Sequence, residues 1–360
     1  MHIPDGYLSP ATCAALYGGS APFWWVALRR VKRALHTRLV PLLSLFAAFC
    51  FVIMMFNLPL PGGTTGHAVG IGLATVVLGP WASMLAVTIA LVIQAFFFGD
   101  GGITAIGANC FNMAVVGSLV SYVVYRAVAG RSALTASRRV VAAGLAGYTA
   151  INVSALFAAI EFGIQPLLYR DASGAPLYCP YPLSISIPAM MIGHLTVAGL
   201  AELFVSAGVV AFLQQSDPSL LRATSGLQGI ETSPSGSRAL RPLWAALGVL
   251  MILTPLGILA GGAAWGEWMA SDYANPAARE QISAVSLNAA LPAQVPGGLE
   301  RLSSVWTAPF AQYAPPYVRG RAFGYLLSAM FGVGLALLVS FGASKFLRNF
   351  SASPKGVSGP

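Results

Sequence analysis

Residues 39–60 read LVPLLSLFAAFCFVIMMFNLPL, twenty-two positions without one charged side chain. At about 1.5 Å of rise per helical residue, such a stretch is long enough to cross about 30 Å of hydrocarbon. Comparable apolar stretches lie on both sides of it, at about 8–28, 67–80, 81–98, 109–126, 140–163, 184–213, 242–263 and 322–344. The 67–80 stretch is short, and glycines and the Pro80-Trp81 boundary separate it from the next. These two are expected to form a tight helical pair, part of it buried in protein rather than in lipid. Across all 360 residues 56% are apolar and 9% charged, against about 25% charged in an ordinary soluble domain. That balance excludes a water-soluble globule, a disordered chain and, despite the net charge of +9, a nucleic-acid-binding domain. The expected fold is an all-α polytopic membrane bundle of about seven spans followed by two C-terminal spans.

The basic residues orient it, because loops on the cytoplasmic side are rich in Lys and Arg. With the N-terminus outside, fifteen of the twenty fall inside, including Arg29, Arg30, Lys32, Arg33, Arg126, Arg138, Arg139, Arg241 and Lys345, and five fall outside. The opening Met1-His2-Ile3-Pro4-Asp5-Gly6 has neither a charged n-region nor a hydrophobic h-region, so a chain starting at Met1 is expected. Four domains follow: a membrane bundle over 1–215, a cytoplasmic linker over 216–241 carrying Ser-Pro-Ser-Gly at 233–236, a two-span module over 242–348, and a tail over 349–360. The module's outer loop, 264–320, is rich in Ala and Pro and is expected to be irregular, with partial order on the outer surface. No phosphate-cradling loop ending in Gly-Lys-Ser/Thr is present, so ATP hydrolysis is not expected of this chain.

Of the four histidines, His36 sits in a basic loop, while His2 and His67 both fall at the outer face in this topology. A histidine at position 2 has a particular chemistry when the α-amine is free. The Met1 amine, the His2 backbone nitrogen and the His2 imidazole close two adjacent chelate rings around one ion, with His67 as a fourth nitrogen. Displacing an amide proton favours Ni(II), Cu(II) or low-spin Co(II) over Zn(II). The bland alternative is an exposed terminal His2 and a helix-capping His67.

Four motifs carry a resemblance: the opening through Pro10; Asn57-x-Pro59 with Pro61-Gly62-Gly63-Thr64-Thr65-Gly66-His67; Phe98-Gly99-Asp100-Gly101-Gly102-Ile103-Thr104-Ala105-Ile106-Gly107-Ala108-Asn109; and Phe111-Asn112-Met113. Together, over residues 1 to about 215, they resemble the CbiM/NikM family, the substrate-binding component of energy-coupling-factor transporters for cobalt and nickel. The C-terminal module resembles the two-span accessory subunit of that family through Thr254-Pro255-Leu256-Gly257, Trp265-Gly266-Glu267-Trp268 and Gly324-Tyr325-Leu326-Leu327-Ser328-Ala329. One departure is Pro296-Gly297-Gly298-Leu299-Glu300, where the family carries Asp at the second position. The resemblance implies a prokaryotic cell-membrane protein that transports Ni(2+) or Co(2+) and binds it through Met1, His2 and His67. It also implies a transmembrane coupling subunit and a pair of cytoplasmic ATPases as partners. The fused module looks more like the nickel-type members.

Asp5 and Gly6 are expected to shape a plug in the bundle mouth. Thr64 and Thr65 are candidates to accept the second N–H of a ligating imidazole, with Gly66 beside them. Asn57, Asp100, Asn109 and Asn112 are polar groups near span ends and candidates to brace the outer loops around the plug, with helix capping by Asp100 and Asn109 an equal alternative. His194 and Glu202 are expected to hydrogen-bond within or between helices, with an inner relay as the alternative for His194. Ala11, Ala15 and Gly19 form a small-residue face suited to docking the coupling subunit. The competing functions are a vitamin-binding component, which gives no reason for His2, an ion channel and a membrane enzyme.

Overall fold

A computed structural model describes residues 1–34, 39–61, 63–227 and 240–349. His36, residues 228–239 with the expected Ser-Pro-Ser-Gly, and residues 350–360 lie outside the described residues. The bundle begins with α1 (Pro10–Ala34), α2 (Leu39–Met54) and α3 (Ile71–Leu78). It continues with α4 (Pro80–Phe98), α5 (Ile106–Ala129), α6 (Ser137–Leu168) and α7 (Leu183–Ser216). The C-terminal module adds α8 (Arg241–Leu259), α9 (Pro276–Val285), α10 (Gly297–Leu302) and α11 (Arg321–Asn349). Six of these helices are long and apolar enough to cross a membrane: α4 to α8 and α11. Large apolar side chains such as Phe204, Ile252 and Leu338 stand exposed on them, as a protein solvated by lipid requires. The chain is a multi-pass integral membrane protein.

The stretch at 67–80 resolves as a helix of eight residues with every residue buried. It is inserted between α6 and α7 because glycine lets the backbones meet: a Cβ on Gly72 would lie 2.6 Å from the Gly147 Cα. Alanines 142, 143, 146, 150, 155, 158 and 159 line the buried face of α6 in the same way. The stretch at 39–60 is helical only to Met54; beyond it Leu58–Pro59 pairs antiparallel with Thr65–Gly66 in a short hairpin.

Two differences from the sequence expectation concern segments without apolar periodicity. The start of the expected linker is packed: Pro218–Thr224 forms a 3-10 helix, Leu221 is fully buried, and the Thr224 hydroxyl donates to Val76 O at 2.6 Å. The 264–320 segment is a folded lid over the mouth of the bundle, held by single buried anchors: Trp265, Trp268, Tyr273, Ile282, Leu299 and Tyr313. Anchors spaced this irregularly leave no helical or strand period for the sequence to display.

Candidate metal centre

The first nine residues thread into the mouth of the bundle. Ile3 N donates to Asn109 Oδ1 at 2.8 Å, while Asn109 Nδ2 and Gly102 N donate back to Ile3 O at 3.1 and 2.8 Å. The Asp5 carboxylate accepts from the main-chain nitrogens of Ile103 and Thr104 at 3.1 and 2.7 Å, wrapping the 99–105 loop around the plug. Ser9 N donates to Gln165 Oε1 at 3.0 Å. Gly6 adopts φ +89°, and a Cβ there would meet the Leu299 Cα of the lid at 2.7 Å, so plug and lid touch backbone to backbone.

His67 reaches the same point from the hairpin. Its Nδ1 donates to Ala68 O at 3.0 Å; since a carbonyl only accepts, the lone pair is on Nε2. Below it Glu202 accepts from Val69 N and Gly70 N at 2.8 Å and from Gly72 N at 3.0 Å, fixing the turn that carries the histidine. The two imidazoles stand with ring centroids 5.1 Å apart, and both are buried. Neither ring nitrogen of His2 has a hydrogen-bond partner, and Nδ1 lies 3.4 Å from Asp100 Oδ1. Desolvation holds the His2 imidazole down at about 4, with the Glu267 charge opposing it, and desolvation followed by the His2 charge holds His67 at about 3. Both rings lie outside the spanning helices and are neutral at pH 5 and above, with lone pairs ready for an ion. Beside Met1 is a cavity of about 190 Å³ whose lining includes Thr64, Thr65, Met190, His194 and Trp265.

The lid contributes groups that sequence reasoning did not select. Glu267 Oε1 accepts from the Met1 ammonium at 3.1 Å and from His2 N at 3.0 Å. Tyr313 donates to Asp100 Oδ2 at 2.6 Å, stacks on Phe98 at 4.7 Å, and receives Gln94 Nε2 at 2.9 Å. Tyr7 donates to Trp268 O at 2.9 Å. A signal for Glu267 was present, an acid between two tryptophans in an otherwise apolar chain, but nothing local tied it to residue 1.

The structure brings together Met1, His2, His67, Asp5, Gly6, Asp100 and Asn109. Asp100 and Asn109 brace the plug and its loop rather than cap helices. Asn112 does not join them: it sits in the π-helical turn Cys110–Val116, and Nδ2 donates to Glu161 Oε2 at 2.8 Å inside the bundle. Asn57 lies in the turn after α2, its main chain against Gly257 of the module. Thr64 and Thr65 line the cavity but do not accept the His67 N–H, which Ala68 O takes. Thr65 N instead donates to Ala263 O of the lid at 3.3 Å, and Gly66 serves the hairpin. His194 Nδ1 donates to Met190 O at 2.9 Å within its own helix. Among the described residues no three His, Cys, Asp or Glu side chains form a metal-holding group.

Position 297, the departure from the family motif, is open: a Cβ there meets nothing within 4 Å, whereas one on Gly298 would lie 2.3 Å from the Tyr178 ring and 2.4 Å from Leu177 O. Gly298 N also donates to Leu177 O at 2.7 Å. Gly297→Asp is therefore expected to leave thermal stability unchanged. Gly298→Ala should cost about 1–3 kcal/mol through overpacking and loosen the lid, read as a lowered Tm of the purified protein.

A multi-pass helical bundle whose mouth is filled by its own N-terminus, with two imidazoles buried beneath a lid, defines a polytopic membrane protein with a plugged and covered mouth. Residues 2–220 match the family model for CbiM, the cobalt uptake substrate-specific transmembrane region, and the chain belongs to that family. It is 52% identical to the fused nickel transport protein NikMN of Rhodobacter capsulatus over 348 residues, covering 97% of this chain and 98% of that one. A crystal structure of a transition metal transporter is similar with a TM-score of 0.57 and 46% identity, covering 64% of this chain and all of the other. A truncated form of a transition metal transporter gives 0.56 and 48%, covering 60% and 99%.

Proposed function

We propose that this chain is the substrate-capture subunit of an ATP-driven importer for nickel or cobalt. It binds the ion through the Met1 amine, the His2 amide nitrogen, His2 Nδ1 and His67 Nε2. The observation that carries the reading is the convergence of two buried, neutral imidazoles, one with both nitrogens unpartnered, beside the buried N-terminus. An unpartnered buried imidazole is costly unless it has a ligand to meet. Nickel is favoured over cobalt, since a relative that matches nearly the whole chain is a nickel transport protein.

ATP hydrolysis belongs to partner subunits, a pair of cytoplasmic ATPases joined through a transmembrane coupling subunit. The docking face on α1 is the stripe of Ala11, Ala15 and Gly19. Ala11 and Ala15 are exposed, together with Ala14 and Gly18, and Gly19 is half-buried over Phe111. By the distribution of basic residues the N-terminus and its lid face outward.

Washed, purified protein should retain about one nickel ion per chain; a channel or an empty scaffold would retain none. The pH dependence is specific. The reference value of about 6.5 would have both imidazoles competing with protons just below neutrality. Burial removes that competition down to about pH 4, and the protons displaced above it are one from the Met1 ammonium and one from the His2 amide. Apparent affinity should therefore fall by about two log units per pH unit between pH 6 and 5, and more steeply below pH 4 as the rings protonate. Calorimetry in buffers of different ionisation enthalpy reads the proton count, and a release of one or fewer would indicate a site of side chains alone.

A further inference from the structure

A crevice of about 150 Å³ opens between α1, α2, α4 and α11, at the end of the molecule opposite the lid. Leu28, Leu43, Leu85 and Val339 line it, one from each helix, and its polar lining residues are Thr88, Ser340 and Ser344. Two of these hydroxyls are engaged: Thr88 Oγ1 accepts from Trp24 Nε1 at 3.1 Å, and Ser344 donates to Phe341 O at 2.9 Å. The Ser340 hydroxyl has no partner, although the residue is only 3% exposed. A helical serine in an apolar setting ordinarily bonds back to its own helix, as Ser44 does to Val40 O and Ser154 to Ala150 O. The Ser340 hydroxyl is therefore a buried donor facing the crevice and calling for an oxygen acceptor.

The rim carries unpaired positive charge. Arg30 lies over the Trp81 ring at 4.7 Å, and Trp81 stands one turn before Leu85, so this guanidinium crosses from α1 to α4 at the mouth of the crevice. Lys32 follows one turn after Leu28 on the same wall, and Arg29 stacks on Trp25 at 3.6 Å. Among the described residues none of these three cations pairs with a carboxylate. An apolar slot, a buried hydroxyl donor and a cationic rim match, in that order, an acyl chain, an ester oxygen and a phosphate. The slot is too small for a helix, which is about 10–12 Å across, and suits a thin flexible chain.

We propose that this crevice binds one anionic phospholipid, with Arg30 and Lys32 on its phosphate and Ser340 donating to an ester oxygen. Because α11 belongs to the C-terminal module and the other walls to the bundle, the lipid joins the two at the end the lid does not reach. The site is independent of the metal reading.

The test is native mass spectrometry of the full chain, stripped of lipid in detergent and titrated with dioleoyl phosphatidylglycerol or dioleoyl phosphatidylcholine. These probes share acyl chains and differ in net charge. Wild type should bind its first phosphatidylglycerol about ten- to thirtyfold more tightly than phosphatidylcholine, the effect of two basic residues near an anionic headgroup. Arg30→Gln combined with Lys32→Gln should abolish that preference while phosphatidylcholine binds as in wild type. Ser340→Phe, which fills the slot and leaves the charges, should weaken both lipids about tenfold. Ser340→Ala, which keeps the packing, should weaken both by a smaller factor. Equal affinities for the two lipids in wild type, or an undiminished preference in the double variant, overturn the anionic assignment. Phosphatidylglycerol bound with wild-type affinity by both Ser340 variants places the lipid elsewhere and overturns the crevice. A lipid-free dimer in the same spectra gives the crevice to a second copy and overturns the proposal as well.

Discussion

Nickel binding should be lost when the Met1 amine is covered by an uncleaved tag of several residues, and should return when a protease restores the free terminus. The reason is chemical. A peptide nitrogen at Met1 can bind only after losing its own amide proton, as the His2 nitrogen must, so the five-membered ring with the His2 amide no longer closes on a ready amine. The nitrogen itself is buried against Glu267. Losing an outer partner of a metal ligand typically costs ten- to hundredfold in affinity, so losing a ligand should cost more than about a hundredfold. A tag of several residues is the cleaner test. One added residue would place the histidine third and create a different terminal chelate. Equal nickel affinity before and after cleavage, measured by calorimetry on the same preparation, would rule out the amine as a ligand.

His2→Ala and His67→Ala should each lower nickel affinity by more than about a hundredfold while the metal-free protein keeps its fold. Both rings are buried, and truncating a buried side chain ordinarily destabilises. Here the loss is offset at His2, because neither of its ring nitrogens has a hydrogen-bond partner and removing them relieves a desolvation cost. The contrast is visible in thermal unfolding. At a free nickel concentration a hundredfold above Kd the wild type gains about 2.7 kcal/mol, and neither variant should respond at that concentration. A variant that shows the full nickel-dependent rise in Tm would remove its histidine from the site. His36→Ala should behave as wild type.

The amino-acid sequence was most informative where neighbouring atoms settle the matter. Apolar length alone placed the helices, and the short 67–80 stretch revealed itself as a segment buried in protein because it cannot span a bilayer. It was least informative on the lid. Expected to be irregular, the 264–320 segment carries a capped helix, with Asn275 Oδ1 accepting from Ala277 N and Ala278 N at 3.0 and 3.3 Å. Its hold on the bundle is made by scattered contacts such as Gln281 Nε2 to Gly63 O at 2.8 Å and Trp306 Nε1 to Phe96 O at 2.8 Å. Contacts of this kind have no period and pair residues more than two hundred positions apart.

The polar residues divide along the same line. Asp100 and Asn109, expected to brace the plug, do so, whereas Asn112 points into the bundle toward Glu161. Only Cys110 and Phe111 separate Asn109 from Asn112, and which asparagine faces the plug depends on the π-helical turn that re-aims the chain at Cys110. Local composition carries no such information.

What the sequence determined by itself was the membrane bundle, because span length is fixed by covalent connectivity; it also supplied the proposal of a nitrogen set at residues 1 and 2. What only the tertiary structure decided was the neutrality of the two imidazoles, the Nε2 lone pair of His67, the support of its turn by Glu202, and the arrival of Glu267 and Tyr313 from the lid. Those properties arise from burial and from hydrogen bonds between distant segments, and they exist only once the chain has folded back over its own N-terminus.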